Sequence, residues 1–319
     1  MQRYVRQEVL IGPRGQRKLE RSTAVIIGLG ALGSVSAELL ARAGVNLLLI
    51  DRDIVERSNL QRQLYTEDDV GWPKAERLAA RLTAVNPDIT IHAHATDFSS
   101  RNAAELLPEK TTIALDCADN LPTRFLLNER CLDARIPWVH AACVGWEGEV
   151  KLFRPGKACY HCLFREASGL GTCDTIGVLN AASAMTASLQ VAETIRSLLG
   201  LAAEEPPLYR LNARGVELLS LNAGKRKDCA ACAGGRPYLS GKGGAAKLCG
   251  RDIWQLRLPS VDLGRIARKL SALGEVRQSE SALIFRQKGV EFTLFRDGRV
   301  LVRAPSESRA RTLCAKYLA

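Results

Sequence analysis

Gly28-Leu29-Gly30-Ala31-Leu32-Gly33 follows directly on the apolar run Ala24–Ile27. A short apolar run that stops at glycine suits a strand buried in a parallel sheet. Behind the glycines, Leu32, Val35, Leu39 and Leu40 recur at helical spacing. The order strand, G-x-G-x-x-G, helix leaves few folds open. The glycines permit a tight turn and let backbone N–H groups approach a phosphate at the helix N-terminus. Asp51 closes the next apolar run, Leu47–Ile50, 18 residues past Gly33. An acid there can hold a ribose hydroxyl. This pattern alone favours NAD or FAD, and a glycine turn with no ligand is the structural alternative.

The rest of the chain repeats the alternation. Residues 74–85 read as a helix ending at Asn86-Pro87, and Ile89-Thr90-Ile91 as a strand. Residues 112–116 read as a strand, 122–134 as a helix, and 139–144 and 149–153 as strands. Asn180–Leu199 is a helix stopped by Gly200, and its alanines and serines imply close packing. Residues 1–21 read as a helical arm, and 155–174 as loop-rich. Strands alternating with helices imply a doubly wound α/β fold, a mostly parallel Rossmann-like sheet covered on both faces. The expected organisation is a nucleotide-binding domain over 1–235, a glycine- and lysine-rich linker over 236–250, and a small α+β domain over 251–319. That last domain reads strand, helix (263–273), strand, hairpin and helix, with a turn at Asp297-Gly298. At about 70 residues and without a recognisable cysteine loop, it is not rhodanese-like.

Charge is unevenly spread. The net charge is +11, and residues 241–319 carry +9 of it, from 16 Lys+Arg and 7 Asp+Glu. Such a module suits an acidic protein partner or nucleic acid. Arg296, Arg299 and Arg303 flank the hairpin, either as a docking face or as a solvated edge that blocks sheet aggregation. No apolar run reaches the roughly 18 residues of a membrane span, and the N-terminus lacks an apolar signal core. The expectation is a cytoplasmic protein with no membrane partner. Ten cysteines then suit metal binding or catalysis better than disulfides.

A second cluster changes the nucleotide expected. Asp53, Asn59, Arg62 and Lys74 follow Asp51 in D-R-D-I-V-E-R-S-N-L-Q-R-Q and G-W-P-K. A dinucleotide needs no extra cations near its adenosine half, whereas a triphosphate reacting at phosphorus does. Arg62 can donate several hydrogen bonds to phosphate, and Lys74 offers a point charge. Taken singly, each reads better as a solvated surface charge. Asp116-Cys117-Ala118-Asp119-Asn120 then ends an apolar strand. Ligands of open α/β sheets bind there, so Asp119 is placed to hold Mg²⁺. The alternative is an Asx turn capping the helix at Leu121-Pro122, and Asp119 could do both.

These motifs, with Arg3-Tyr4-Val5-Arg6-Gln7 and two C-x-x-C pairs, occur together and in order over residues 1–235. The set resembles the ThiF/MoeB/HesA family, bacterial relatives of ubiquitin-activating enzymes. The resemblance implies a homodimeric enzyme that adenylates the C-terminal glycine of a ubiquitin-like sulfur carrier ending in Gly-Gly. It implies an ATP–Mg²⁺ site of Gly28, Gly30, Gly33, Asp51, Asp53, Asn59, Arg62, Lys74 and Asp119. Arg6 would match the arginine that reaches the partner protomer's triphosphate. Arg124 would match one near the carrier tail.

Cys159-Tyr160-His161-Cys162 and Cys229-Ala230-Ala231-Cys232 supply the four thiolates of a closed, structural Zn²⁺ site. Unligated thiols are the alternative, and His161 reads as a bystander. Cys173 lies in the polar loop G-T-C-D-T-I-G. By the resemblance it matches a cysteine that takes the activated carrier as an acyl disulfide or thioester; a spectator cysteine is the other reading. Cys117, Cys131, Cys143, Cys249 and Cys314 lie in apolar runs and read as core. The expected product is a carrier thiocarboxylate for thiamine or molybdopterin synthesis, with sulfur from Cys173 or an outside sulfurtransferase. The competing readings are a peptide or tRNA-linked acceptor, for which the basic tail leaves nucleic acid open, an NAD-dependent oxidoreductase, and a non-catalytic adaptor.

Overall fold

A computed structural model describes residues 3–164, 176–222, 224–241, 253–258 and 261–318. The chain divides into two units, residues 1–70 with 74–246, and residues 71–73 with 247–319.

The larger unit is built on one sheet of eight strands. These are β1 (Thr23–Ile27), β2 (Asn46–Ile50), β3 (Ile91–His94), β4 (Ile113–Asp116), β5 (Trp138–Val144), β6 (Glu147–Phe153), β7 (Leu208–Asn212) and β8 (Glu217–Leu221). Their spatial order is 3-2-1-4-5-6-7-8. The first five pair in parallel, and β6 to β8 continue the sheet antiparallel. β1 and β4 are neighbours, with Ile27 opposite Asp116, so the chain reverses its winding direction between them. That reversal opens a crevice at the carboxyl ends of the strands.

Helices cover both faces. On one face, α2 (Gly33–Ala43), α3 (Lys74–Val85) and the long helix Asn180–Leu199 bury a core containing Ile26, Leu40, Leu49, Leu78 and Val150. On the other, α4 (Ala103–Leu106), α5 (Leu121–Ala134) and α6 (Tyr160–Leu163) enclose Phe125, Trp138, Phe153 and Tyr160. The small residues of the long helix let it lie close to the sheet. A Cβ at Gly148 of β6 would collide with the Thr186 hydroxyl. Gln190 of this helix is fully buried with all its polar capacity used. Its amide donates to the carbonyls of Asp116 and Val139 (2.9 and 3.0 Å), and its oxygen accepts from the Ser36 hydroxyl (2.8 Å).

Several elements differ from expectation for local physical reasons. The N-terminal arm, α1 (Val5–Glu20), kinks at Gly12, where φ is 70°. The third strand runs Ile91–His94 rather than 89–91, because the Thr90 N–H is taken by the Asn46 side chain (2.8 Å) instead of the ladder. β7 and β8 carry no alternation that a sequence reading could use, and every residue of β8 is exposed. Among the described residues, no helix is long and apolar enough to cross a membrane.

The smaller unit holds a five-stranded antiparallel sheet. Its strands are β9 (Ile253–Arg257), β10 (Glu275–Gln278), β11 (Ala282–Gln287), β12 (Val290–Phe295) and β13 (Arg299–Arg303), in the order 10-11-12-13-9. Helices Leu263–Ser271 and Glu307–Leu318 pack with it around Leu270, Phe285, Phe292 and Leu313. A turn at Asp297-Gly298 joins β12 to β13, and a second hairpin turns at Lys288-Gly289.

Candidate functional site

The crevice between β1 and β4 is floored by the glycine turn. Gly28 has φ 88°, and a Cβ there would sit 2.5 Å from the Cys117 carbonyl oxygen. A Cβ at Gly33 would run into the Gly28 carbonyl. These two glycines are required by the fold itself. Gly30 is different. Its Cβ position meets only the Gln63 amide nitrogen, at 3.7 Å, so protein packing does not explain the missing side chain. The space it leaves suits a phosphate approaching the backbone. Gln63 is buried beside it, and its Oε1 has no hydrogen-bond partner.

Asp51 organises the turn. Its carboxylate accepts the Leu29 N–H (2.6 Å) and the Asp53 N–H (2.7 Å). Burial raises its pKa, with Lys74 opposing the rise. The Lys74 ammonium is buried 3.6 Å from Asp53. Burial alone would lower its pKa, but the carboxylates of Asp51, Asp53, Asp119 and Glu56 more than offset that and hold it cationic. Arg52 is held charged against burial in the same way by Asp53, Asp97 and Asp119, with Asp97 3.2 Å away. The Tyr65 hydroxyl donates to the Leu29 carbonyl (2.9 Å) and braces the loop from behind.

Asp119 is exposed, just past the carboxyl end of β4. It does not cap the next helix; Asn120 does, accepting the Thr123 N–H (2.9 Å) while its amide donates to Asp119 (3.0 Å). That leaves the outer face of the Asp119 carboxylate open to a cation. Asn59 closes a short 3₁₀ turn by accepting the Glu56 N–H (3.2 Å), and Arg62 donates to the Ser58 carbonyl (2.8 Å). Arg6 is exposed on the first turn of α1.

Beneath the Asp119 turn lies a buried charge network. His140 of β5 is fully buried between Asp116 (Nδ1 to Oδ2, 2.6 Å) and Glu149 (Nε2 to Oε1, 3.2 Å). Burial would lower its pKa, but its hydrogen bonds to the two carboxylates raise it instead. The Glu149 pKa is lowered: burial works against this, and the His140 contact outweighs it. Arg124 lies 3.5 Å from Asp116 and donates to the Ala118 carbonyl (2.8 Å).

The four cysteines of the two C-x-x-C pairs converge, with four sulfur separations of 3.4 to 3.8 Å and all four sulfurs within 4.8 Å of one another. Thiolates at the ~2.3 Å bond length of tetrahedral zinc stand about 3.8 Å apart, so the cage fits that ion. Burial, with the neighbouring sulfurs, raises the Cys159 thiol pKa, and burial pushes Cys232 up to about 11. A bound cation is what would hold such thiols as thiolates. His161 is not part of the cage. It meets the buried Glu129 of α5 (3.2 Å), whose other oxygen accepts the Leu239 N–H (2.8 Å). Glu129 thus holds a residue of each cysteine-bearing segment.

Residues 4–231 match the family described as the ThiF family. The chain belongs to the ThiF family. It is 39% identical over 335 positions to the sulfur carrier protein ThiS adenylyltransferase of Bacillus subtilis (strain 168), with 99% of both chains covered. It is 37% identical over 214 positions to the sulfur carrier protein adenylyltransferase of Thermus thermophilus, covering 63% of this chain and 79% of that one. Among solved structures, E. coli MccB with ATP superposes with a TM-score of 0.63 at 23% identity, covering 73% of this chain and 74% of that one. That likeness concerns the fold.

In this ThiF-family chain the structure gathers Gly28, Gly30, Asp51, Asp53, Lys74 and Asp119 around one crevice, and the four cysteines around one point. Cys173 and Cys249 lie outside the described residues. Cys117, Cys131, Cys143 and Cys314 are buried. Arg52, Gln63, Tyr65 and His140 are not among the site residues expected from the sequence, although Gln63 closes N-L-Q-R-Q. Arg52 stands inside D-R-D, and His140 interrupts the apolar run of β5.

Proposed function

We propose that this protein uses ATP to adenylate the C-terminal glycine of a ubiquitin-like sulfur carrier, preparing it for thiocarboxylate formation in thiamine or molybdopterin synthesis. It is an adenylyltransferase. The observation that carries the reading is the crevice itself, where an open Gly30 backbone, a buried Lys74 cation and an exposed Asp119 carboxylate stand together at the strand ends. An oxidoreductase using NAD would leave Lys74, Arg62 and Asp119 without work.

The carrier's terminal carboxylate oxygen attacks the α-phosphorus of ATP. The bond to the oxygen bridging α and β breaks, and pyrophosphate leaves. No general base is required, because the carboxylate is already ionised at neutral pH. The glycine turn and Asp51 orient the nucleotide. Lys74 and Arg62, with Arg6 from a second protomer, hold the charge that moves onto the leaving pyrophosphate. Asp119 would hold Mg²⁺, which would supply further neutralisation of phosphate charge. A sulfur nucleophile, from Cys173 or a separate sulfurtransferase, then displaces AMP. Zinc held in the cysteine cage would be structural, since four thiolates leave no open position.

Two surfaces support protein partners. Val9 and Leu10 on α1 are 85% and 86% exposed beside Arg6, which suits a homodimer contact. β8 is a sheet edge that exposes Leu218, Leu219 and Leu221, an unusual edge for a protein without a partner. It suits the carrier.

ATP–pyrophosphate exchange with a panel of purified Gly-Gly carriers tests the reading. Exchange that depends on one carrier is expected; exchange with none, despite ATP binding, overturns it. Asp119→Ala should lower exchange by about 10²-fold or more with an unchanged melting temperature. Full exchange in that variant removes the metal assignment. Gly30→Ala should fold normally but bind ATP about tenfold more weakly, the scale of one charge-assisted hydrogen bond; calorimetric titration measures this directly.

A further inference from the structure

We propose that His140 is a positioning residue for adenylation, which fixes the Asp116 carboxylate and through it the turn that presents Asp119. This rests on the reading of Asp119 as a magnesium ligand.

Asp116 ends β4, and both its oxygens are committed. Oδ1 accepts the Ala118 N–H (3.0 Å), which shapes the turn. Oδ2 meets His140 Nδ1 at 2.6 Å, a short contact between two fully buried groups. The other hold on the Ala118 peptide is Arg124, whose guanidinium donates to the Ala118 carbonyl and lies 3.5 Å from the same Oδ2. Without His140, the nearest cation to Asp116 is Arg124. The carboxylate is then free to rotate toward it and to release the Ala118 N–H. Asp119 is the next residue.

His140 is itself held from two directions. Glu149 accepts at Nε2 and sets the rotation of the ring. Tyr160 and Phe164 wall it edge-on, with centroids 5.1 and 5.4 Å away. Tyr160 lies between Cys159 and Cys162, and its backbone N–H is fixed by Asn128 (2.9 Å). The cysteine cage and the Asp119 turn therefore share one buried imidazole as a common wall. A histidine that only filled space would not need carboxylates on both nitrogens.

The test uses the full-length protein and ATP–pyrophosphate exchange as a function of Mg²⁺, with zinc content and melting temperature measured on each variant. His140→Gln is expected to raise the Mg²⁺ concentration for half-maximal exchange by about tenfold, as loss of a partner behind a metal ligand does, with zinc content unchanged. Glu149→Ala, at a partly exposed side chain, should shift it about threefold in the same direction, and Glu149→Gln, which keeps an acceptor for Nε2, should restore it. A wild-type Mg²⁺ dependence in a folded His140→Gln overturns the proposal. Should that variant lose its zinc and its fold, an unshifted Glu149→Ala overturns it instead. Asp119→Asn separates the two layers. A shift there without one in His140→Gln removes only the positioning role, whereas no shift in Asp119→Asn removes the metal reading and this proposal with it.

Discussion

Cys159→Ser is expected to lose zinc and to lower the melting temperature by at least ~10 °C. Structural zinc held by four thiolates contributes about 10–16 kcal/mol of apparent binding free energy, and in a site absent from the unfolded chain that energy is folding energy. Losing half of it is enough, since each kcal/mol moves a domain of this size by about 2–4 °C. Cys159 and Cys229 are both 2% exposed, so neither sulfur can turn to solvent when the cage opens. The damage spreads through Glu129. Its buried carboxylate is paired with His161 and with the Leu239 N–H. Both belong to segments that a metal in the cage would tie down, and a buried carboxylate that loses its partners is strongly unfavourable. Cys131→Ser is the control. It is an equally buried cysteine outside the cage, so it should cost a local packing and polarity penalty and leave the zinc stoichiometry intact. Metal analysis and a thermal melt decide the matter. A Cys159→Ser protein that keeps one zinc per chain and the parent melting temperature would show that the cage is not a metal site.

What the sequence makes legible depends on how local the physics is. The glycine turn, Asp51 and the paired cysteines can be read because each requirement acts within a few residues: a positive φ, a clash with the next carbonyl, a ligand spacing of three. Gly28 and Gly30 look alike in the sequence and separate only in space, one forced by the Cys117 carbonyl and the other by nothing in the protein. The buried charges are legible only in three dimensions. His140 needs Asp116, 24 positions back, and Glu129 needs Leu239, 110 positions ahead. A charged residue in an apolar run says that a partner exists without saying which one. Asp119 and Asn120 show the limit from the other side. Two adjacent residues have the chemistry of a cap, and the helix takes Asn120, leaving the carboxylate outward. β8 stays hidden because the cue for a strand is burial on one face, and all five of its residues are exposed.

Lys74→Met should lower pyrophosphate exchange by about 10²–10³-fold, the cost of removing one preorganised charge from a site where negative charge moves. Methionine keeps most of the apolar stem packed and deletes only the ammonium, so the loss reads the charge rather than the volume. Lys74→Arg is not expected to rescue. The guanidinium is larger and planar, and it would replace a compact ammonium that is buried 3.6 Å from Asp53. The same variant carries a pH signature. In the parent, burial already raises the Asp51 pKa, and Lys74 is the largest influence opposing that rise. Deleting Lys74 lifts Asp51 further above its unfolded value. The native state then holds a proton that the unfolded chain has released, so stability falls as pH rises between those two values and recovers as pH falls through the native one. Lys74→Met should therefore gain melting temperature on mild acidification relative to the parent. Lys74→Met with Asp51→Asn should lose that gain, because the titrating group is gone. Melts across pH 4 to 8 with exchange assays alongside measure both effects. Parent-like exchange in Lys74→Met would mean that this buried cation serves only to neutralise Asp51 and Asp53, and the charge on the leaving group would have to be met by Arg52 and Arg62.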